Sequence, residues 1–229
     1  MALWCEKIST VTVPQSDDPK HVTFIFPYYR NPKFLRQHLS WWATYPEHLR
    51  MSLAAIIVDD GSPEPAEDVL KHTAHPFPIR LFRIEVDVRW NWLAARNIGF
   101  YHAAGWCLVT DIDHVIPQST AEAVVYGEHD AGTIYGFSRK EYTGETVPPH
   151  PNSWLMTREM FWKVGGYDER MSGFYGTDGM WRRRMAATAP MRILTDRLIR
   201  HEYQADASTT HYLRKQPEDA KLRKLIATF

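Results

Sequence analysis

Four short apolar runs, separated by helical and turn-rich stretches, constrain this chain more than any other feature. They are VTFIF (22–26), LAAIIV (53–58), IRLFRIEV (79–86) and WCLVTDID (106–113). Runs of this kind, rich in β-branched and aromatic residues, read as strands buried on both faces of a sheet. The first is expected to stop at Pro27. After Asn31 and Pro32, residues Phe34, Leu35, His38, Leu39 and Trp42 recur at three- and four-residue spacing, which predicts a helix with proline in its first turn. Residues 90–105, WNWLAARNIGFYHAAG, read as a second helix closed by Gly105. Strands alternating with helices imply an α/β fold: a mostly parallel sheet with helices on both faces. In such sheets ligands bind beyond the carboxyl ends of the strands. That rule singles out residues 27–30, 59–61 and 111–113.

The second half is less regular and forms a smaller region. Residues 132–142 and 153–157 read as strands, and a helix from Arg158 ends at Gly165 or Gly166. A glycine-rich stretch, MSGFYGTDG, leads into the helix MWRRRMAA, and residues 192–201 read as extended. Residues 9–13 (STVTV) form a short strand by the same reading, and the tail beyond Pro217 a basic helix. There is no internal repeat, and the 229 residues are read as one domain, with halves 1–117 and 118–229.

Formal net charge is zero, so no global basic field points to nucleic acid. The charge is uneven: residues 182–229 hold eleven Lys/Arg against five Asp/Glu. That is a solvated basic face or a rim beside an anionic substrate. Aromatics reach 13%, with nine Trp, explained for the most part by core packing, although sugar rings also stack on such side chains. Tyr175 or Trp181, beside Asp178, would be the stacking platform. Cys5 and Cys107 make neither a disulfide framework nor a zinc pattern, which points to a reducing compartment. No apolar run approaches the length of a membrane span, so a soluble, cytoplasmic protein is expected.

The chemistry concentrates at the strand ends. If the strand continues extended past Thr110, Asp111 and Asp113 share a face and converge on one cation. A hard divalent cation takes oxygen ligands and keeps substrate phosphate among them. Asp59 and Asp60, before Gly61 and Ser62, either close an Asx turn or accept a hydrogen bond from a nucleobase or ribose. Asp178 precedes a helix, where it is either an N-cap or a base.

The order VTFIFPYYRNPKFLRQHL, IIVDDGS, LAARNIGFYHAAGWCLVTDIDHVIP resembles family 2 glycosyltransferases of the GT-A fold over about residues 22–117. The later VGGYDERMSGFYGTDGMWRRRM is similar to the C-terminal segment of galactosyltransferase-like and chondroitin-synthase-like members. The resemblance implies a metal-dependent, inverting transfer of sugar from a nucleotide sugar, a UDP-sugar, to an acceptor hydroxyl, with Mn2+ or Mg2+ as cofactor. It makes 1–117 the nucleotide-sugar half and 118–229 the acceptor side. Pro27, Tyr28 and Arg30 then line the nucleoside pocket, and Asp59 or Asp60 faces the base. Arg96 and Asn97 lie beside the nucleotide and sugar, with Asp111 at the donor. Asp111 and Asp113 hold the metal, and Asp178 is the base. Members often add a C-terminal histidine to the metal, here His201 or else His211, with His114 a neighbour of the site. The chain departs from the pattern in carrying Thr177–Asp178 where relatives often have two acids. It also lacks the Gln-x-x-Arg-Trp signature of processive synthases, which implies single additions. A glycan is the default acceptor, and a hydroxyl on a nucleic-acid base the alternative. A nucleotidyltransferase of similar architecture would normally carry a glycine-rich basic loop after the first strand, and PYYRNPKF is not one.

Overall fold

The first strands are β1 (Glu6–Lys7), β2 (Val22–Tyr28), β3 (Leu53–Asp59), β4 (Ile79–Ile84) and β5 (Trp106–Val109). Helices α1 (Pro32–Ala43), α2 (Glu47–Arg50), α3 (Ala66–Lys71) and α4 (Trp92–His102) lie between them. The rest of the chain adds β6 (His114–Val115), α5 (Gln118–Tyr126), β7 (Ile134–Lys140), β8 (Thr146–Val147) and β9 (Trp154–Thr157). It closes with α6 (Arg158–Val164), a 3-10 turn at Glu169–Met171, α7 (Asp178–Thr188) and β10 (Met191–Arg200). This computed structural model describes residues 6–7 and 21–200, except Arg89, Tyr175 and the side chains of Glu6, Lys7 and Arg197. The expected strand at 9–13 and the basic tail lie outside the described residues.

One ten-stranded sheet runs β1-β4-β3-β2-β5-β9-β7-β10-β6, with β8 beside β7. The β4-β3-β2-β5 segment is parallel, as the apolar runs imply. β9 is antiparallel to both β5 and β7, and β10 returns parallel to β7. The sheet is therefore mainly parallel and joins strands from both halves of the chain.

Alternation along the strands feeds two cores. Val22, Phe24, Phe26 and Tyr28 of β2 pack with Leu35, Leu39 and Trp42 of α1, the face expected from the spacing. Ile25, on the opposite face, joins Phe100 of α4, Phe161 of α6 and Trp181 of α7. Helices thus cover both faces. Gly99 lets α4 lie close on β2: a Cβ there would meet Ile25 Cγ2 at 2.4 Å.

Three local expectations are corrected. β2 runs through Pro27 to Tyr28. Its rungs to β5 end at Ile25, whereas those to β3 continue, and Pro27 presents its missing N–H on the side where the ladder has ended. Helix α4 ends at His102, and Gly105, at φ +59°, makes the turn into β5 instead of capping the helix. Strand β5 ends at Val109, before the acidic pair.

Candidate functional site

The chain leaves β5 and turns at once, the His114 N–H donating to the Asp111 carbonyl at 3.0 Å. Asp111 and Asp113 therefore sit in a turn and not on one extended face. Their side chains stay 32% and 33% exposed at the carboxyl end of the parallel strands. Each carboxylate has one arginine and one histidine beside it. Asp111 Oδ1 accepts from Arg96, while Asp111 Oδ2 faces His150 Nε2 at 3.4 Å. Asp113 Oδ1 bonds His114 Nδ1 at 2.6 Å, and its Oδ2 faces Arg200 Nε at 3.5 Å. One oxygen of each is held tightly and the other loosely. Burial works to raise the pKa of Asp113, but His114, His150 and Arg200 outweigh it and hold the carboxyl below the ordinary range.

Arg96 is fully buried, its guanidinium 4.2 Å from the Trp92 ring centroid and 5.6 Å from that of Tyr167. Its Nε and Nη1 have no hydrogen-bond partner among the described residues. His150 is 15% exposed, and burial pushes its pKa down to about 4 against the pull of Asp111.

No group of three or more His, Cys, Asp or Glu forms a cation cage among the described residues. A divalent cation shared with substrate phosphate needs only one or two protein carboxylates. The two loosely held Oδ2 atoms are hard oxygen donors, so Asp111 and Asp113 fit such a cation. His201 and His211 lie outside the described residues.

Asp178 is the first residue of α7, with Thr177 at the cap position and no side-chain capping bond there. The Asp178 carboxylate accepts from the Asn152 side chain and lies in the field of Arg96, Asp111 and Arg182. Burial raises its pKa above the ordinary value, Asn152 and Arg96 oppose the rise, and Asp111 adds to it. The fold thus brings a carboxylate from the second half to the acidic turn of the first.

At the end of β3 the two neighbouring acids divide. Asp59, 1% exposed, accepts the Ser62 N–H on Oδ1 at 2.7 Å and the Ala66 N–H on Oδ2 at 2.8 Å. Arg83 adds a 3.3 Å contact. This is the turn-closing role, and it leaves Asp59 unavailable to a base. Asp60 is 6% exposed, stands beside Asn91 and keeps Oδ1 without a hydrogen-bond partner among the described residues. Burial raises its pKa well above the ordinary range. Gly61 is required directly after them, because at φ +67° a Cβ would lie 2.7 Å from Asp87 Cα.

The loop after β2 is also corrected. Pro27 is buried within the strand, and Tyr28 points into the core with its hydroxyl donating to the Glu64 carbonyl at 2.8 Å. Only Arg30 of the three expected residues reaches the loop. It adopts φ +48°, and its N–H donates to Ser62 Oγ at 3.0 Å, tying this loop to the Asp59 turn. Asn97 does not face the strand ends with a free amide. Its Nδ2 donates to the Tyr167 carbonyl and to Glu169 Oε1, at 2.9 and 2.8 Å, and its Oδ1 accepts the Tyr167 N–H. It holds the segment leading to α7. Trp181 is 1% exposed and stacks on Tyr167 within the core, so it is no platform, and Tyr175 lies outside the described residues.

His150, Asn152, Arg139 and Arg200 escape sequence reasoning. They lie in β7, in β10 and in a proline-rich loop, and no motif spacing links them to residues 111–113.

A sequence profile described as Glycosyl transferase family 2 matches residues 23–189. No curated protein matches the chain in sequence. Among solved structures it resembles residues 1–349 of S. aureus TarS, with TM-score 0.67 and 18% identity over 91% of this chain and 64% of that one. The mannosyltransferase PcManGT from Pyrobaculum calidifontis, in complex with GDP-Man and Mn2+, gives 0.63 and 18% over 84% and 61%. GalNAc-T7, with UDP, GalNAc and Mn2+, gives 0.66 and 12% over 91% and 48%. These likenesses show the GT-A fold, and the chain spans less than two thirds of the chains it resembles. Among the described residues no helix is long and apolar enough to cross a membrane.

Proposed function

Because the chain belongs to glycosyl transferase family 2, we propose that it transfers a sugar from a nucleoside diphosphate sugar, a UDP-sugar, to an acceptor hydroxyl with inversion. The observation that carries this reading is the Asp178 carboxylate, bonded by Asn152 and lying in the field of the Arg96–Asp111 pair at the carboxyl ends of the parallel strands. Structures resembling this chain are complexed with UDP-GlcNAc, with UDP, and with GDP-Man and Mn2+, which supports a nucleotide sugar as donor and a divalent cation as cofactor.

In the reaction the acceptor oxygen bonds to the anomeric carbon from the face opposite the leaving group. The bond from that carbon to the diphosphate oxygen breaks, and its electron pair leaves with the nucleoside diphosphate. Asp178 takes the hydroxyl proton as the new bond forms. Its raised pKa makes it a better base than an exposed carboxylate, and the Asn152 contact aims it. Asp111 and Asp113 would hold Mn2+ or Mg2+, which when bound would supply Lewis-acid compensation for the charge growing on the diphosphate. Asp60, with a free buried acceptor atom, serves the nucleobase, and Arg30 and Arg96 complete the donor side. His201 is the further metal ligand implied by the family. The family favours sugar transfer over nucleotidyl transfer, and a glycan hydroxyl over a nucleic-acid base. Cys107, a free buried thiol, supports a reducing, cytoplasmic setting.

A thermal-shift panel of UDP- and GDP-sugars with and without Mn2+ tests the reading. The expected result is a rise in Tm with one UDP-sugar that requires the metal. No rise with any nucleotide sugar overturns the function, and a rise indifferent to metal overturns the cation site.

A further inference from the structure

Two histidines stand against the acidic pair, and their other partners decide which ring nitrogen can donate to it. Building on the reading that Asp111 and Asp113 hold a divalent cation, we propose that His114 and His150 are positioning residues. His114 turns Nδ1 and His150 turns Nε2 towards the acidic pair, orienting Asp113 and Asp111 without ligating the cation.

His114 is fully buried, and Arg139 Nη1 lies 3.4 Å from its Nε2. A guanidinium only donates, so Nε2 must offer its lone pair. The ring proton is then on Nδ1, 2.6 Å from Asp113 Oδ1.

His150 is arranged the other way round. The Asn152 N–H donates to its Nδ1 at 3.4 Å. Ser153 Oγ lies 3.2 Å from the same nitrogen and 2.7 Å from Thr110 Oγ1. With Thr110 donating to Ser153, the Ser153 hydroxyl is directed at Nδ1 as well. Nδ1 is the acceptor, so the proton is on Nε2, which faces Asp111 Oδ2 at 3.4 Å. A protonated Nε2 has no lone pair for a metal. The two rings pack with centroids 4.4 Å apart.

The consequence is a division of labour around the turn. Arg96 and His114 each hold one oxygen of a carboxylate firmly, and His150 Nε2 faces the loosely held oxygen of Asp111. Partners of this outer kind set ligand orientation, and their loss weakens metal binding by about 10–100-fold.

The test uses the whole 229-residue chain. In the metal-free, 15N-labelled protein near neutral pH, long-range 1H–15N correlation is expected to find His114 protonated on Nδ1 and His150 on Nε2. His114→Asn and His150→Gln assign the signals. Mn2+ binding in the presence of UDP is then followed by electron paramagnetic resonance. His150→Ala and His114→Ala are expected to weaken it by about 10–100-fold. His150→Gln and His114→Asn carry an amide N–H at the place of the lost ring N–H and are expected to stay within about threefold of the parent. Opposite tautomers, or alanine variants that bind as the parent does, overturn the proposal. So does a His150→Gln as weak as His150→Ala, since that result marks His150 as a ligand. A parent chain that binds no Mn2+ overturns the cation reading, and the positioning role with it. Normal Mn2+ binding with the wrong tautomers overturns the positioning role alone.

Discussion

Two acidic turns stand at the carboxyl ends of the two parallel strands that flank β2, one after β3 and one after β5, and they serve different ends. Asp59 and Asp60 are almost wholly buried, at 1% and 6% exposure. Asp111 and Asp113 keep about a third of their side chains in solvent, at 32% and 33%. Asp59 meets backbone N–H groups of its own loop, which need it to stay paired. Asp111 and Asp113 instead meet side chains brought from α4, β10 and the loop before β9. A carboxylate that satisfies its own backbone is part of the scaffold, whereas one held at a single oxygen by distant side chains keeps the other for a ligand.

Substitutions can break this comparison. The largest expected effect is at the exposed turn. Asp113→Ala should lower transfer by about 10^3-fold or more, as several kcal/mol of charge stabilisation is lost, far beyond the modest fall in Tm expected from leaving the buried His114 ring without its partner. A fall in Tm matching the loss of activity would place Asp113 with the scaffold instead. Asp178→Asn should come next, lowering kcat by about 10^2–10^4-fold while nucleotide-sugar affinity holds, as measured by calorimetry. Unchanged kcat would leave Asp178 no part in the chemistry.

The buried turn should respond in stability. Asp59→Ala strands two buried N–H groups and is expected to remove about 2–5 kcal/mol in urea unfolding. Asp60→Asn should leave stability equal or higher, since a neutral amide escapes the burial that raises the acid's pKa. It should weaken nucleotide binding nonetheless. Equal stability losses at the two positions would erase the distinction drawn between them.

The smallest effect concerns pH. His150 has its pKa pushed from 6.5 down to about 4. Between those values the unfolded chain binds a proton that the folded chain refuses, so this contribution is complete above pH 6.5 and is lost as pH falls towards 4. The loss amounts to at most about 3 kcal/mol. His150→Gln should flatten that part of the stability profile, and an unchanged profile would show that His150 is not the group responsible.

Much of the first half is legible in the residues because its signals are local. Apolar runs mark β2 to β5, the spacing from Phe34 to Trp42 marks α1, and each acidic pair lies where a parallel strand must end. Individual roles are less legible. Tyr28 and Arg30 sit two residues apart in one motif, yet Tyr28 anchors the core and Arg30 shapes the loop. Asn97 shares a motif with Arg96 but fastens the segment before α7. Which face a side chain takes depends on where a strand stops, and a proline inside β2 moved that point by two residues.

By itself the sequence determined the strand–helix alternation, the sheet ends where ligands bind and the Asp111–Asp113 pair, because periodicity and strand ends follow from neighbours along the chain. Only the tertiary structure decided that Asp59 is scaffold, that Asp178 lies in the field of Arg96 and Asp111, and that His150 flanks the acidic turn. Those outcomes depend on contacts between residues far apart in sequence, such as His150 with Asp111 and Asn152 with Asp178. The antiparallel insertion of β9 between β5 and β7 carries the second half to the first, and no local spacing encodes that pairing.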